Sequence, residues 1–452
     1  MAEPQKAVRR LPAVLSFLPF GRSTSATGAE GPSPDSLLSI YLPAFILAAG
    51  VSIAAPALPL YAKSFQVDFG MASMVVVMNQ LGATVATMPT GYLVDRIGGR
   101  KVVLIGPILV GVASMLMALA HSFPELLVYR FIEGVGMQFW QLGRLDLITA
   151  RGGGRRGTQI TGMFGMDSAG RLLGPALGGF LAATWGLRAP FAVYAFMACL
   201  SIVPSFFLVR DAKKPAAGLA TSSATREGIS WGSRAVWAEI LTVPILMLFA
   251  AQFLSFMTRG SLFGGTLDLY AVYAYGIGPQ TIGTLALVAG LLGLPLTLMS
   301  GRVMDRFGRR ATMVPGFTLL SVALFTLATS AFMHWPFGSY VAVFLFARVA
   351  GATVSGSMLV LGSDAAPAHA RGTYFGVLGL VRQSGLLLSP ALFAFLAQSW
   401  GFGQGFVLLA VSSFCTAIIT EMLLRRPRAQ IQAAEAVAAV PVLAQAGKRR
   451  AG

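Results

Sequence analysis

Apolar residues run in blocks of roughly 20 along most of this chain, and a helix of that length crosses the ~30 Å hydrocarbon core of a bilayer. The blocks predict helices near 37–61, 70–93, 102–121, 124–143, 158–184 and 189–209, and then near 240–274, 279–301, 311–333, 337–361, 372–398 and 402–424. Strands are a poor fit, because the blocks lack strict alternation and are rich in Leu, Ala and Met. The expected fold class is therefore an all-α integral membrane protein with twelve transmembrane helices in two six-helix bundles, 37–210 and 240–424. A cytoplasmic tail (1–36), a flexible Lys/Ala/Ser/Gly-rich linker (211–239) and a second cytoplasmic tail (425–452) complete the expected organisation.

Composition agrees. The chain is 55% hydrophobic and only 11% charged, too apolar to cover a water-facing surface. Its formal charge of +17 raises the question of a nucleic-acid partner, which the placement of the charge decides. Five short loops on one side hold about seventeen Lys and Arg, whereas the loops on the other side hold Lys63 and Arg188. The positive-inside rule reads this as topology: multi-pass in the plasma (inner) membrane with both termini cytoplasmic, and no nucleic-acid partner. Cys199, Cys415 and three scattered histidines suggest neither a disulfide framework nor a metal site, and no cofactor motif is visible. The prolines in "LPAVLSFLPF" make a signal peptide a poor reading of the N-terminus.

Landmarks recur in order at nearly constant offset. "ALPLYA" from Ala57 returns as "TLDLYA" from Thr266, and "GYLVDRIGGRK" from Gly91 as "GRVMDRFGRR" from Gly301. Arg130 of "YRFIEGVG" pairs with Arg348 of "ARVAGATV", and "GRLLGPALGG" from Gly170 has a degraded copy in "GLLLSPALFA" from Gly385. Duplicated bundles with a pathway between them are a common plan of secondary transporters.

At these residues the chain resembles the major facilitator superfamily, over almost all of 37–424. The family's charged turn stands as Gly91, Asp95, Arg96, Gly98, Arg100 and Lys101, with Gly99 where an Arg is common. It stands again as Gly301, Asp305, Arg306, Gly308, Arg309 and Arg310. The resemblance implies a latch that holds the cytoplasmic side shut, with glycines for close helix approach and arginines bridging the seam between halves. On the fifth helix, Gly170, Gly174, Pro175, Gly178 and Gly179 resemble the pattern of drug and metabolite antiporters, where it favours export. Small residues four apart also make a face for tight packing.

Ionisable groups inside the spans cost roughly 2.5–3.5 kcal/mol each on insertion scales, so each asks for a reason. They are Arg130 and Glu133 on the fourth helix, Asp167 and Arg171 on the fifth, Arg259 on the seventh, Arg348 on the tenth and Arg382 on the eleventh, with Asp268 nearer the outer end of the seventh. Spacing allows two intrahelical ion pairs, Arg130–Glu133 and Asp167–Arg171. Arg130 with Gly134 and Gly136 matches the superfamily's fourth-helix pattern, whose arginine the resemblance links to proton coupling. Arginine stays charged, so a carboxylate must carry the proton, and Glu133 and Asp167 are the candidates. Arg259, Arg348 and Arg382 have no carboxylate within a helical turn and either bond to backbone carbonyls or bias the cavity toward anions. Gln138, Trp140, Gln141, Gln252, Phe256 and Gln383 surround them as lesser candidates.

The expected function is a secondary active transporter, not an enzyme, that exports small organic molecules in exchange for protons by alternating access, as a monomer. A transporter of organic anions or phosphorylated metabolites is the alternative, and a non-transporting membrane sensor a remote one.

Overall fold

The computed structural model describes residues 41–150, 156–208, 240–366 and 371–425. Among the described residues every regular element is helical. The fifteen helices are α1 (Leu42–Ala54), α2 (Ala57–Ser64), α3 (Phe69–Ile97), α4 (Gly99–Leu119), α5 (Phe123–Ala150), α6 (Arg156–Trp185), α7 (Ala189–Leu208), α8 (Val243–Phe263), α9 (Thr266–Tyr275), α10 (Pro279–Phe307), α11 (Arg309–Phe332), α12 (Phe337–Thr353), α13 (Ser357–Asp364), α14 (Arg371–Trp400) and α15 (Phe402–Leu424). The expected tails and linker lie outside the described residues, apart from Arg425.

Three expected helices are broken. α1 and α2 meet at Pro56 with a bend of 43°, where proline supplies no backbone donor. α8 and α9 part at Gly264–Gly265, and α12 and α13 at 354–356. Gly265 (φ +99°) and Gly356 (φ +83°) hold left-handed backbone that a side chain would strain. Joined across these breaks, fifteen helices give twelve spans, the expected number.

Among the described residues nine helices are long and apolar enough to cross a membrane, ten with the bent α1–α2 pair. α5 and α6 are not among them. They carry Glu125, Arg130, Glu133, Arg144 and Asp146, and Arg156, Asp167 and Arg171. The least apolar spans are the ones with the densest candidate chemistry.

Within the first half α5 packs on α3 and α4, and α1 on α6 and α7; within the second, α11 packs on α15 and α8 on α14. Two larger contacts join the halves, α6 against α10 and α3 against α14. The fifth-helix glycines explain how α6 serves two neighbours. A Cβ on Gly178 would lie 1.8 Å from the Ile53 carbonyl oxygen, and Gly170 and Gly174 also face α1, at the Phe45 carbonyl and the Ser52 hydroxyl. Gly179 turns instead to Pro279 of α10, whose Gly283 would bring a Cβ within 2.2 Å of the Pro175 carbonyl oxygen.

Candidate functional site

Between the halves lies a cavity of about 620 Å³, with walls that include Ser52, Asn79, Arg130, Glu133, Gln138, Gln141, Arg171, Phe263, Asp268, Arg348, Ser355 and Gln383. Both halves therefore contribute charge to one space.

α5 contributes Arg130 and Glu133, one turn apart, and they form an ion pair with side chains only 13% and 4% exposed. The Arg130 Nε also donates to the Val75 carbonyl (3.3 Å), and the Tyr194 hydroxyl donates to the other Glu133 oxygen (3.0 Å). Glu133 is thus a buried acceptor held from two sides. Tyr194 was not anticipated from sequence, where a tyrosine in an apolar block carries no signal.

The second half builds its pair differently. Arg348 of α12 donates to both oxygens of Asp268 on α9, at 3.2 and 3.5 Å. The guanidinium lies 5.1 Å from the Phe344 ring and 5.4 Å from that of Phe263, within cation–π range. Two expectations are corrected here. Asp268 is a cavity acid, not a peripheral one, because the break at Gly264–Gly265 turns α9 toward α12. Arg348 has a carboxylate partner, supplied by another span and so invisible to helical spacing.

Asp167 and Arg171 do not pair. Both Asp167 oxygens accept from Arg144 of α5, at 3.0 and 3.1 Å, while Arg144 lies over the Trp140 ring at 4.7 Å. Arg144 had fallen outside the fourth helix, expected to end at 143, but α5 continues to Ala150. Asp167 is accordingly not a cavity-wall residue, whereas Arg171 is. Arg259 donates weakly to Ser355 Oγ (3.5 Å) and lies over the Phe263 ring (5.2 Å). Arg382 lies over Phe256 (5.6 Å), away from the wall. Of the lesser candidates, Gln138, Gln141 and Gln383 line the cavity, whereas Gln252 is buried and donates to the Met358 carbonyl.

The two charged turns share a backbone device. Gly98 (φ +88°) and Gly308 (φ +83°) each end one helix and begin the next in left-handed geometry. The carboxylates of Asp95 and Asp305 lie outside the described side chains. Among the neighbouring arginines, Arg96 donates to Tyr92 on its own helix, Arg100 to the Phe206 carbonyl, and Arg306 lies over Phe307. Arg309 pairs with Asp364, and Arg310 with Glu421. Every one of these contacts stays within its own half. Nor do Gly91 and Gly301 meet a neighbouring helix: an added Cβ would find nothing within 4 Å.

The opposite end of the seam is shut. Lys63 donates to the Val272 carbonyl (3.0 Å), Tyr273 to that of Val67 (2.7 Å), and Gln398 to Asp68 (3.0 Å), whose other oxygen caps α3. Phe69 packs among Tyr273, Phe393 and Phe402 beside them.

The pattern of the Major Facilitator Superfamily matches residues 40–390. The chain belongs to that superfamily. Among its relatives are the multidrug resistance protein MdtG of Klebsiella pneumoniae (strain 342), 27% identical over 88% of this chain and 95% of that protein, and the quinolone resistance protein NorA of Staphylococcus aureus, 24% identical over 66% of this chain and 74% of that one. A D-xylose–proton symporter shares the fold, with a TM-score of 0.68 at 17% identity, covering 86% of this chain and 96% of that one. A bacterial homologue of the iron transporter ferroportin, in its inward-facing state, has a TM-score of 0.66 at 17% identity, covering 88% and 100%. The protein is a major facilitator transporter with the two-bundle helical architecture of that superfamily.

Proposed function

We propose that this transporter exports small organic molecules across the plasma membrane in exchange for protons, with Glu133 as the proton carrier. The observation that carries the reading is a buried carboxylate on the cavity wall, held by Arg130 and Tyr194. Ionised, Glu133 neutralises Arg130; protonated, it leaves Arg130 as an uncompensated charge beside the cavity. A proton thereby changes what the wall offers a substrate, which is the minimum that coupling requires. One proton moving down ~100 mV releases about 2.3 kcal/mol, enough for a substrate gradient of a few tens-fold. The names of MdtG and NorA, resistance proteins for multiple drugs and quinolones, support export.

In this reading the charged turns face the cytoplasm and latch that side in the alternate state. The closed end at Lys63, Asp68 and Tyr273 faces outward. The described geometry corresponds to the inward-facing state, and the two bundles rock about the cavity to exchange it for the outward-facing one. The test is flux of a fluoroquinolone, which carries both an amine and a carboxylate, in proteoliposomes with an imposed pH gradient. Wild-type protein should accumulate the drug against its gradient, and Glu133→Gln should not. Equal flux with and without the pH gradient sinks the proton-coupled reading.

A further inference from the structure

Among the described residues six arginines lie inside the spans, and the structure accounts for four of them: Arg144 holds Asp167, Arg130 has Glu133, Arg348 has Asp268, and Arg382 packs on Phe256 away from the cavity. Arg171 of α6 and Arg259 of α8 remain. Among the described residues neither has a carboxylate within ion-pair distance, and Arg171 makes no hydrogen bond at all, although its side chain is on the cavity wall. Arg259 reaches the same wall through Ser355 and the Phe263 ring, the ring that Arg348 also faces.

The two come from opposite halves and flank one space: Arg171 lies on the cavity wall, and Arg259 touches Ser355 and Phe263, which line it too. Counting Arg259 at its edge, the cavity gathers four cations against two carboxylates. Neither surplus arginine is a relic of the duplication. Their counterparts under the repeat are Leu386 and Gly50, so each is a departure peculiar to its own half. Like charges that face one cavity repel one another until an anion joins them. A guanidinium presents a planar fork of donors that matches the oxygens of a carboxylate or sulfonate.

We propose that Arg171 and Arg259 form a subsite for the anionic group of the transported molecule, which is an organic acid or a zwitterion. The inference rests on the export reading above for its site, and it narrows the substrate class. The apolar body of such a molecule would lie along Leu58, Leu172 and Leu269, with Gln138 and Gln141 for its polar atoms. An anion held by one arginine from each half also ties the bundles together, so occupancy of the subsite would favour the state in which Arg171 and Arg259 are close.

Matched probes test this without knowledge of the natural substrate. A quinolone carboxylic acid and 2-naphthoic acid are each compared with their methyl esters, which keep the body and lose the charge. Binding to the purified full chain in nanodiscs is measured at neutral pH. The acids should bind about tenfold or more tightly than their esters. Arg171→Gln and Arg259→Gln should each bring the acid-to-ester ratio of affinities close to one, and Arg171→Lys should restore part of it. Absence of acid preference in the wild type, including failure of either acid to bind, overturns the subsite, as does an acid preference that survives both glutamine variants. The wild-type comparison needs no variant to fold. Fluoroquinolone flux separates the two proposals: proton-driven export without acid preference in binding leaves export standing and removes the subsite, and acid preference without proton-driven flux does the reverse.

Discussion

The two halves place an arginine at equivalent positions, Arg130 and Arg348, and neutralise it in unlike ways. Arg130 finds Glu133 one turn along the same helix; Arg348 finds Asp268 on a different span, just past the break at Gly264–Gly265. A pair carried by one helix stays together however the spans move, so only a change of protonation can dissolve it. A pair carried by two spans is also broken by relative motion. On the proposed proton-coupled reading, the first half responds to a proton and the second to a displacement, although both follow one repeated plan.

That contrast gives the largest expected effect. Glu133→Gln should abolish proton-driven flux, a loss of about 100-fold or more, while exchange of labelled for unlabelled substrate without a gradient persists. Asp268→Asn should instead slow driven flux and exchange together, because it leaves Arg348 buried without its partner and disturbs the movement itself. Flux assays run in both modes check this. If Asp268→Asn selectively loses the driven mode, the proton site belongs to the second half and the contrast is reversed.

The Arg144–Asp167 clamp between α5 and α6 is the control for a charge pair away from the cavity. Arg144→Ala should destabilise the protein by about 3 kcal/mol, as expected when one partner of a buried pair is removed. Asp167→Asn should keep pH-dependent flux in whatever fraction remains folded. Thermal unfolding in detergent together with a pH-gradient assay measures both, and loss of coupling in folded Asp167→Asn would return that carboxylate to the list of proton carriers.

Packing differs between the halves as charge does. Where α6 has Gly178 against the backbone of α1, the matching place in α14 holds Phe393, fully buried against Phe406 (ring centroids 5.0 Å apart). Gly178→Ala should therefore cost more stability than Gly403→Ala. The first forces a Cβ against backbone 1.8 Å away, whereas the second meets only the Phe332 ring at 2.5 Å, and a side chain can turn aside where backbone cannot. Comparable melting temperatures for the two variants would show that α1 and α6 have slack not evident in their contact.

These cases show what the sequence could and could not reveal. Twelve spans were legible because a bilayer imposes length and hydropathy on every helix. Arg130–Glu133 was legible because helical spacing alone brings the two together. Asp268–Arg348 and Arg144–Asp167 were not, since each depends on which spans become neighbours, and spacing along one helix says nothing about that. Helical spacing even suggested a wrong partner for Asp167, because Arg171 shares its turn but points to the cavity. The breaks at Gly265 and Gly356 did carry a signal, the Gly-Gly of "LFGGTL" and the Ser-Gly of "VSGSM", but the length that a bilayer demands of a span outweighed it.

The smallest and most discriminating effect concerns the two ends of the seam. Gly178, Gly179 and Gly283 are crowded, whereas Gly91 and Gly301 in the charged turns have nothing within 4 Å of an added Cβ. Gly91→Ala and Gly301→Ala should therefore leave stability in this state within about 0.5 kcal/mol of wild type. If these glycines exist so that the turns can close on neighbouring helices in the alternate state, each added methyl obstructs that closure and nothing else. Transport should then slow severalfold with the melting temperature unchanged, and cysteines placed near the charged turns should react faster with soluble thiol reagents, because the open state gains population. An unchanged transport rate in the double variant would mean that the turns serve the topology of insertion alone, with Gly98 and Gly308 the only glycines there whose backbone geometry demands them.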